Sequence, residues 1–214
     1  MKHWEQIYKK NEQINKWPFQ SVVEYLSQNY SNKSNINLLE IGCGTGNNFP
    51  LYEQLNFDFT GIDLSETACD YAIKKVNSLS KKGKVYNCNF LDFNLDMKFD
   101  LIIDRGVLAM NNWTDAKKIV DKAKTYLFQK GEYLLFDING KNSSDFKKAE
   151  LISHNYYKGN ENLLSKNHKM MFLEEKDLKE LLVNYSEIKI NKKLFTYHVD
   201  RPYNLEFYDA FCRI

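Results

Sequence analysis

Three alternate glycines stand where the chain leaves an apolar segment. Gly42, Gly44 and Gly46 directly follow the run Leu38–Ile41, which is typical of a buried strand. Glycines in such a turn permit positive φ and let a ligand approach the bare main chain. A dinucleotide-binding turn would place its third glycine at the position of Asn47. The turn therefore predicts a ligand site that differs from the dehydrogenase type.

Acidic residues end or follow the next three apolar segments. Asp63 ends the second segment, about 20 residues after the first glycine, where an acid can accept hydrogen bonds from ribose hydroxyls. Asp92 comes shortly after the third segment, and Asp104 ends the fourth. Ligands of open α/β sheets bind at the carboxyl ends of the strands. We therefore expect Asp104 to lie at the ligand-binding edge of the sheet.

The elements that must position these residues alternate between strand and helix. The segments typical of strands are Asn37–Ile41, Phe57–Ile62, Val85–Asn89, Phe99–Ile103 and Glu132–Ile138. Helical patterns separate them, which predicts a doubly wound α/β fold with a parallel sheet. Gly131 is expected to end the helix before the fifth strand.

The C-terminal third follows a different pattern. Ile188–Val199 and Leu205–Ile214 alternate like two antiparallel strands around a turn at 200–202. The polar, irregular stretch before them is long enough to be a covering element. We expect one domain over 1–214, with a helical lead-in at 1–30, a binding core at 37–138, a covering segment at 141–170 and an antiparallel pair at 186–214.

Composition and charge narrow the range of partners. Thirty basic residues against 28 acidic ones leave a net charge of +2 without a dense basic block, so a nucleic-acid-binding protein is not indicated. The four cysteines lie far apart without metal-ligand spacing, which predicts buried thiols and no metal. No apolar run reaches the roughly 18–20 residues of a membrane span, and the N-terminus does not resemble a secretory signal. We expect a cytoplasmic protein, whose oligomeric state the sequence does not predict.

The glycine turn resembles the first motif of the class I S-adenosylmethionine-dependent methyltransferases, (E/D)-x-G-x-G-x-G. Glu40 supplies its acidic position, and the strand segments at 99–104 and 131–136 also resemble family motifs. The resemblance implies a Rossmann-like sheet of seven strands with an antiparallel last strand, and S-adenosylmethionine as cofactor. A nicotinamide oxidoreductase is the alternative at the level of the cofactor.

The resemblance also implies roles for single residues. The turn would wrap the methionine part of the cofactor with help from Glu40, and Asp63 would hold the ribose. Asp92 would accept the adenine amino group with Leu91 or Phe93 beside the ring, while Asp104 would lie near the methionine amine and the methyl group. The expected cofactor-binding residues are Glu40, Gly42, Cys43, Gly44, Gly46, Asn47, Asp63, Leu64, Asn89, Leu91, Asp92, Phe93 and Asp104.

The residues after Asp104 bear on the acceptor. Enzymes that methylate the amines of bases resemble (D/N)-P-P-(Y/F) here, whereas this chain reads Asp104-Arg105-Gly106-Val107, and it has no cysteine between Cys88 and Cys212 to serve as the nucleophile of a cytosine-C5 enzyme. Asp-Arg-Gly, together with the Trp4-x-x-x-Tyr8 helix and the segment 15–19 that follows it, resembles bacterial methyltransferases of surface-polysaccharide synthesis. Asp-Arg-Gly also resembles, more faintly, thiol-directed enzymes. We expect O-methylation of a sugar, a sugar nucleotide or a capsular precursor. The alternatives are a thiol or another small molecule, or a non-catalytic cofactor-binding accessory protein.

Four residues are expected to act on the acceptor. Arg105 would grip an anionic group through two parallel hydrogen bonds, or else form a salt bridge that fixes its own loop. His154 is the first choice as general base and His198 the second, with Asp104, a tyrosine or water if neither serves. The lead-in carries Trp4-x-x-x-Tyr8, which predicts either a lid over the site or simple packing.

Overall fold

The structure, a computed structural model, describes residues 2–80, 83–159, 168–198 and 202–214. Six α-helices are present in these ranges: α1 (Lys2–Lys9), α2 (Gln20–Tyr30), α3 (Phe49–Gln54), α4 (Glu66–Ser78), α5 (Trp113–Tyr126) and α6 (Glu175–Leu181). Ten strands accompany them: β1 (Asn37–Ile41), β2 (Asp58–Asp63), β3 (Lys84–Asn87), β4 (Phe99–Arg105), β5 (Leu127–Asn139), β6 (Glu150–Ser153), β7 (Tyr156–Lys158), β8 (Lys169–Met171), β9 (Glu187–His198) and β10 (Pro202–Arg213). No helix in the described ranges is both long and apolar enough to cross a bilayer.

Seven of the strands form one sheet in the order β3-β2-β1-β4-β5-β10-β9. The strand pairs β1–β2 and β2–β3 are parallel, whereas β10 runs antiparallel to both β5 and β9. This mixed sheet of seven strands with an antiparallel last strand is the architecture that the sequence resemblance implies, which confirms the expected fold class. The expected turn at Asp200-Arg201 lies outside the described residues.

The chain divides into two compact units. The first contains residues 1–103 and 126–131, and the second contains residues 104–125 and 132–214. In the first unit, β1 is buried because Leu38, Leu39 and Ile41 are apolar on both faces. Helix α4 begins at the capping residue Ser65, whose hydroxyl accepts a hydrogen bond from Ala68 N (3.1 Å).

One expectation for the middle of the chain is wrong. Gly131 does not end a helix, because α5 already ends at Tyr126 and β5 begins at Leu127. A Cβ at Gly131 would lie 2.9 Å from the Phe99 carbonyl oxygen and 3.0 Å from that of Phe128, so close packing of main chains requires glycine there. Glycine at this position thus reflects tertiary packing and not the end of a helix.

The covering segment is more regular than its sequence indicates. Strands β6, β7 and β8 form a separate antiparallel sheet of three strands within the second unit. Each has only three or four residues, which is too short for a clear alternation of apolar and polar side chains. Strand β8 packs against a short 3-10 helix, Leu108–Met110, that follows β4.

Candidate functional site

The glycine turn joins β1 to α3 in the first unit. Gly42, Gly44 and Gly46 have φ values of 70°, 53° and 69°, a left-handed conformation that favours glycine at each position. A Cβ at Gly46 would lie 2.5 Å from the ring of Phe49, so packing also excludes a side chain there. The amides of Gly42 and Cys43 both donate to the Ile62 carbonyl oxygen (2.7 and 2.9 Å), which ties the turn to β2.

Glu40 is buried directly before the turn and contacts the start of α3. Asn48 Nδ2 donates to Glu40 Oε1 (2.6 Å), and Asn48 Oδ1 in turn accepts from the amide of Phe19 (3.0 Å). Asn47 Nδ2 donates to the Trp17 carbonyl oxygen (3.2 Å). Both asparagines thereby join the turn to the lead-in, a role that the sequence analysis missed for Asn48.

Asp63 is fixed against the same turn. Its Oδ2 accepts from the Gly44 amide and its Oδ1 from the Ser65 amide, each at 2.9 Å. Burial raises the pKa of the Asp63 carboxyl, although these backbone hydrogen bonds oppose the shift. A carboxylate has about four acceptor positions, so two backbone bonds leave room for ligand hydroxyls. Leu64, the next residue, is 44% exposed.

The residues after β3 form a capped 3-10 turn in the first unit. Asn89 Oδ1 accepts from the Leu91 amide (3.0 Å) and begins the turn at Phe90–Asp92. Asp92 is exposed and Leu91 is half-buried. Phe93 lies in the core instead, where its ring contacts those of Tyr86 (5.5 Å) and Tyr126 (5.4 Å). Of the two candidates for the adenine flank, Leu91 is therefore the accessible one.

Asp104 is buried at the carboxyl end of β4. Its carboxylate accepts hydrogen bonds from the amides of Val107 (2.8 Å) and Leu108 (3.1 Å) and from the hydroxyl of Tyr133 (3.2 Å). Burial raises the pKa of this carboxyl to about 6, since these donors only partly offset the lost hydration. Asp104 thus fixes the loop that follows β4, in which Gly106 has a φ of 99°.

Arg105 belongs to a cluster of four charges in the second unit. Arg105 Nε donates to Asp137 Oδ2 (3.0 Å), while Lys193 Nζ contacts Asp137 Oδ1 (2.7 Å) and Asp209 Oδ1 (2.8 Å). Burial alone would raise the pKa of Asp137, but Arg105 and Lys193 lower it overall. The Arg105 side chain is 35% exposed, so the salt bridge and access to solvent coexist.

Asp137 occupies an unusual place in β5. Its φ is 55°, a left-handed conformation that is uncommon for a residue other than glycine, and its amide donates to Asp209 Oδ1 (3.0 Å). The pairing of β5 with β10 shifts register between Tyr208 and Ala210 at this level. This local irregularity presents Asp137 to Arg105, and no sequence pattern in β5 indicates it.

Of the two candidate bases, His154 and His198, the structure describes the side chain of His154 alone. His154 is exposed in the turn between β6 and β7, and its ring meets that of Trp113 edge to face at 4.6 Å. Asn155 Nδ2 lies 3.3 Å from His154 Nε2. His198 ends β9, but its side chain lies outside the described residues.

Comparison with known proteins bears on the class of the chain. A family model described as a methyltransferase domain matches residues 32–192. The chain belongs to this family. It is an S-adenosylmethionine-dependent methyltransferase, and S-adenosylmethionine is its cofactor. The left-handed glycine turn and the carboxylate fixed beside it fit that cofactor, because main chain without side chains lies next to an acceptor for hydroxyl groups.

Solved structures share the fold of this methyltransferase at low sequence identity. An S-adenosylmethionine-dependent methyltransferase of Clostridium acetobutylicum is 17% identical, with a TM-score of 0.64 over 99% of this chain and 96% of that one. The 1,6-didemethyltoxoflavin-N1-methyltransferase of Burkholderia thailandensis has a TM-score of 0.70 at 12% identity, over 98% and 85%. The magnesium protoporphyrin IX methyltransferase of Synechocystis, solved with bound S-adenosylmethionine, has a TM-score of 0.61 at 15% identity, over 98% and 79%.

A curated relative matches only part of the methyltransferase chain. An uncharacterised protein of Rickettsia prowazekii is 37% identical over 79 residues, which are 35% of this chain and 14% of that protein. The matched stretch is thus a small part of the relative's length.

Proposed function

We propose that this methyltransferase transfers the methyl group to a hydroxyl of a sugar, a sugar nucleotide or a surface-polysaccharide precursor that carries an anionic group. The observation that carries the proposal is Arg105, which directly follows the buried Asp104 at the end of β4 and stays 35% exposed. Arginine binds phosphate and carboxylate by two parallel hydrogen bonds. The resemblance of Asp-Arg-Gly to polysaccharide-associated enzymes supports a sugar as the acceptor. Two structural relatives are named for substrates that are small molecules, which agrees with a small-molecule acceptor.

The cofactor would be held by residues at the carboxyl ends of the strands and in the turns that follow these strands. Asp63 would accept the ribose hydroxyls at the acceptor positions that its two backbone bonds leave open. The exposed Asp92 would accept the adenine amino group, with Leu91 beside the ring. Asp104 would serve the methionine amine. The remaining proposed contacts come from Glu40, Cys43, Asn47, Leu64 and Asn89 and from the three glycines of the turn.

The protein's part in the chemistry is mainly alignment. The bound cofactor supplies an activated methyl group on a sulfonium, which needs no further activation. The residues of the chain would hold the acceptor oxygen in line with the methyl carbon, and such positioning alone can contribute several kcal/mol. Arg105 would fix the anionic end of the acceptor, while Asp137 holds the Arg105 side chain and Lys193 in turn pairs with Asp137.

The acceptor hydroxyl also needs a base, since a protonated sugar hydroxyl is a poor nucleophile. A general base typically contributes about 10²–10⁴-fold. We propose His154 for this role because it lies in the covering sheet with an exposed ring beside Trp113. His198 is the second candidate.

The proposed base is tested by substitution. His154→Ala should lower kcat at neutral pH by about a hundredfold, with partial recovery at high pH and unchanged cofactor affinity. Wild-type turnover in both His154→Ala and His198→Ala would exclude histidine and leave Asp104, a tyrosine or water.

The acceptor class is tested by release of S-adenosylhomocysteine with a panel of acceptors. Sugar nucleotides, neutral sugars and small thiols are compared with the wild-type protein and with Arg105→Lys. The expected result is turnover with a sugar nucleotide and a kcat/KM at least tenfold lower in Arg105→Lys, at unchanged affinity for S-adenosylhomocysteine.

Other outcomes would each contradict part of the proposal. Turnover of thiols alone would replace the sugar by a thiol acceptor. Binding of S-adenosylhomocysteine without turnover of any acceptor would favour an accessory protein. Equal loss of cofactor affinity in Arg105→Lys would make Arg105 a residue that only fixes its loop.

A further inference from the structure

Helix α1 is attached to the first turn of α4 by one carboxylate. Glu5 accepts hydrogen bonds from the hydroxyls of Ser65 (2.6 Å) and Thr67 (2.8 Å) and from the Thr67 amide (3.3 Å). These bonds lower the pKa of Glu5 to about 2, with those from Ser65 and Thr67 contributing most. A negative charge at a helix N-terminus is favourable, because the first amides of the helix lack partners within it. Glu5 therefore fixes the position of α1 on α4.

Tyr8 lies one helical turn beyond Glu5 and is buried. Its hydroxyl oxygen is 2.8 Å from the point where a Cβ at Gly44 would stand, and apart from Gly44 and its two chain neighbours the only atoms within 4 Å of that point among the described residues belong to Tyr8. The phenol therefore occupies the space that the second glycine of the turn leaves open. The Gly44 amide donates to Asp63 Oδ2 (2.9 Å), so the hydroxyl faces the same glycine that the proposed ribose-binding carboxylate holds. Burial and, next to it, the charge of Asp63 raise the pKa of Tyr8.

The Tyr8 hydroxyl makes no hydrogen bond to any residue that the structure describes, and its ring contacts that of Trp4 (6.2 Å). The hydroxyl oxygen itself is not fully buried, because among the described residues it is not one of the buried side-chain oxygens without a partner. It is therefore open to a hydrogen bond with a ligand or with water. A later part of the lead-in also contacts the glycine turn, because Thr45 Oγ1 donates a hydrogen bond to the Asn15 carbonyl oxygen (3.5 Å). A polar group that faces a ligand-binding turn from this side is suited to bind that ligand.

We propose that Tyr8 is a cofactor-binding residue whose hydroxyl forms a hydrogen bond to S-adenosylmethionine at the Gly44 side of the turn. Glu5 is a positioning residue that holds Tyr8 there through α1. This inference rests on the proposed cofactor site and adds the lead-in helix to it. The lead-in helix then contributes a ligand contact to the cofactor site and does not only pack against it.

The test is calorimetric titration with S-adenosylhomocysteine. Tyr8→Phe removes only the hydroxyl and should weaken binding about tenfold with little change in melting temperature, as expected for one hydrogen bond to a ligand. Tyr71→Phe is the matched control, because it removes an exposed hydroxyl that bonds Asn11 of the lead-in (3.0 Å) away from Gly44. The control should bind within twofold of the wild type.

The role of Glu5 is tested by a double-mutant cycle. Glu5→Gln should weaken binding, and adding it to Tyr8→Phe should weaken binding no further, because both changes remove the same contact. Glu12→Gln, an exposed change in the same segment, should have no effect. Additive losses, or a Glu5→Gln variant that binds like the wild type, would reduce Glu5 to a structural residue.

Two failures can be told apart. If the wild type binds S-adenosylhomocysteine and Tyr8→Phe binds it equally well, the role of Tyr8 is wrong and the cofactor site stands. If the wild type itself does not bind, the proposed cofactor site is wrong and the inference fails with it.

Discussion

Gly44 is the residue on which the turn's conformation and its ligand access both depend. Its φ of 53° strains any residue with a side chain, and a Cβ would stand 2.8 Å from the Tyr8 hydroxyl oxygen. Gly44→Val should therefore lower affinity for S-adenosylhomocysteine at least a hundredfold while circular dichroism still reports a folded protein. Gly106→Ala is the control, because its φ of 99° also disfavours a side chain, while a Cβ there would meet no atom within 4 Å among the described residues other than its chain neighbours. Near-normal affinity in Gly44→Val would contradict the placement of the cofactor.

Asp63 has two roles at the residue scale, as a tie for the turn and as a proposed ribose acceptor. Asp63→Ala should cost about 2–4 kcal/mol of cofactor affinity, because hydrogen bonds to a charged group contribute about 1.5–3 kcal/mol each and are not additive. Asp58→Ala, exposed at the start of the same strand, is the matched control in the same titration. A loss below about 0.5 kcal/mol would make Asp63 merely structural.

Helix α1 is the element whose role is most open to test. Its contacts with α4 and with Gly44 predict that deletion of residues 1–16 removes part of the cofactor site. Turnover of the true acceptor should fall more than tenfold, and release of S-adenosylhomocysteine measures it. A change of Trp17 to alanine serves as a control, because that side chain directly follows the deleted residues and is 82% exposed. Unchanged turnover after the deletion would show that the lead-in is not a lid.

The pH dependence of stability belongs to the scale of the whole molecule. The pKa of Asp104 rises from 3.8 to about 6 on folding, so the folded state binds this proton more tightly than the unfolded state. The stabilising contribution of the protonated form is present at low pH and is lost as the pH rises through about 6. Between pH 4 and pH 7 this loss amounts to about 2 kcal/mol of unfolding free energy.

Urea unfolding at the two pH values measures this contribution. The reference is Asp104→Asn, which keeps the shape of the side chain and cannot titrate. The wild type should lose about 2 kcal/mol more than the variant between pH 4 and pH 7. Equal losses in the two proteins would mean that Asp104 keeps an ordinary pKa in the folded state.

The sequence by itself determined the order of strands and helices in the core and the glycine turn with its flanking acids. These features are local: buried parallel strands need apolar runs, left-handed turns need glycine, and Ser65 caps the helix that follows it. The cofactor follows from the same stretch, because the motif around Glu40 and Gly42 needs no distant partner to be recognised. Local patterns also predicted the antiparallel pair at the C-terminus.

Tertiary structure decided what distant parts of the chain do to these residues. Phe93 follows the acid Asp92 in sequence, yet it is buried against Tyr126. Arg105 is held by Asp137, 32 residues away, only because β5 takes a left-handed residue at that point. Tyr8 reaches Gly44 because Glu5 binds the start of α4, some 60 residues away. Such contacts form only when side chains that are distant in sequence pack closely in the folded chain, and no periodicity or spacing along the sequence encodes them.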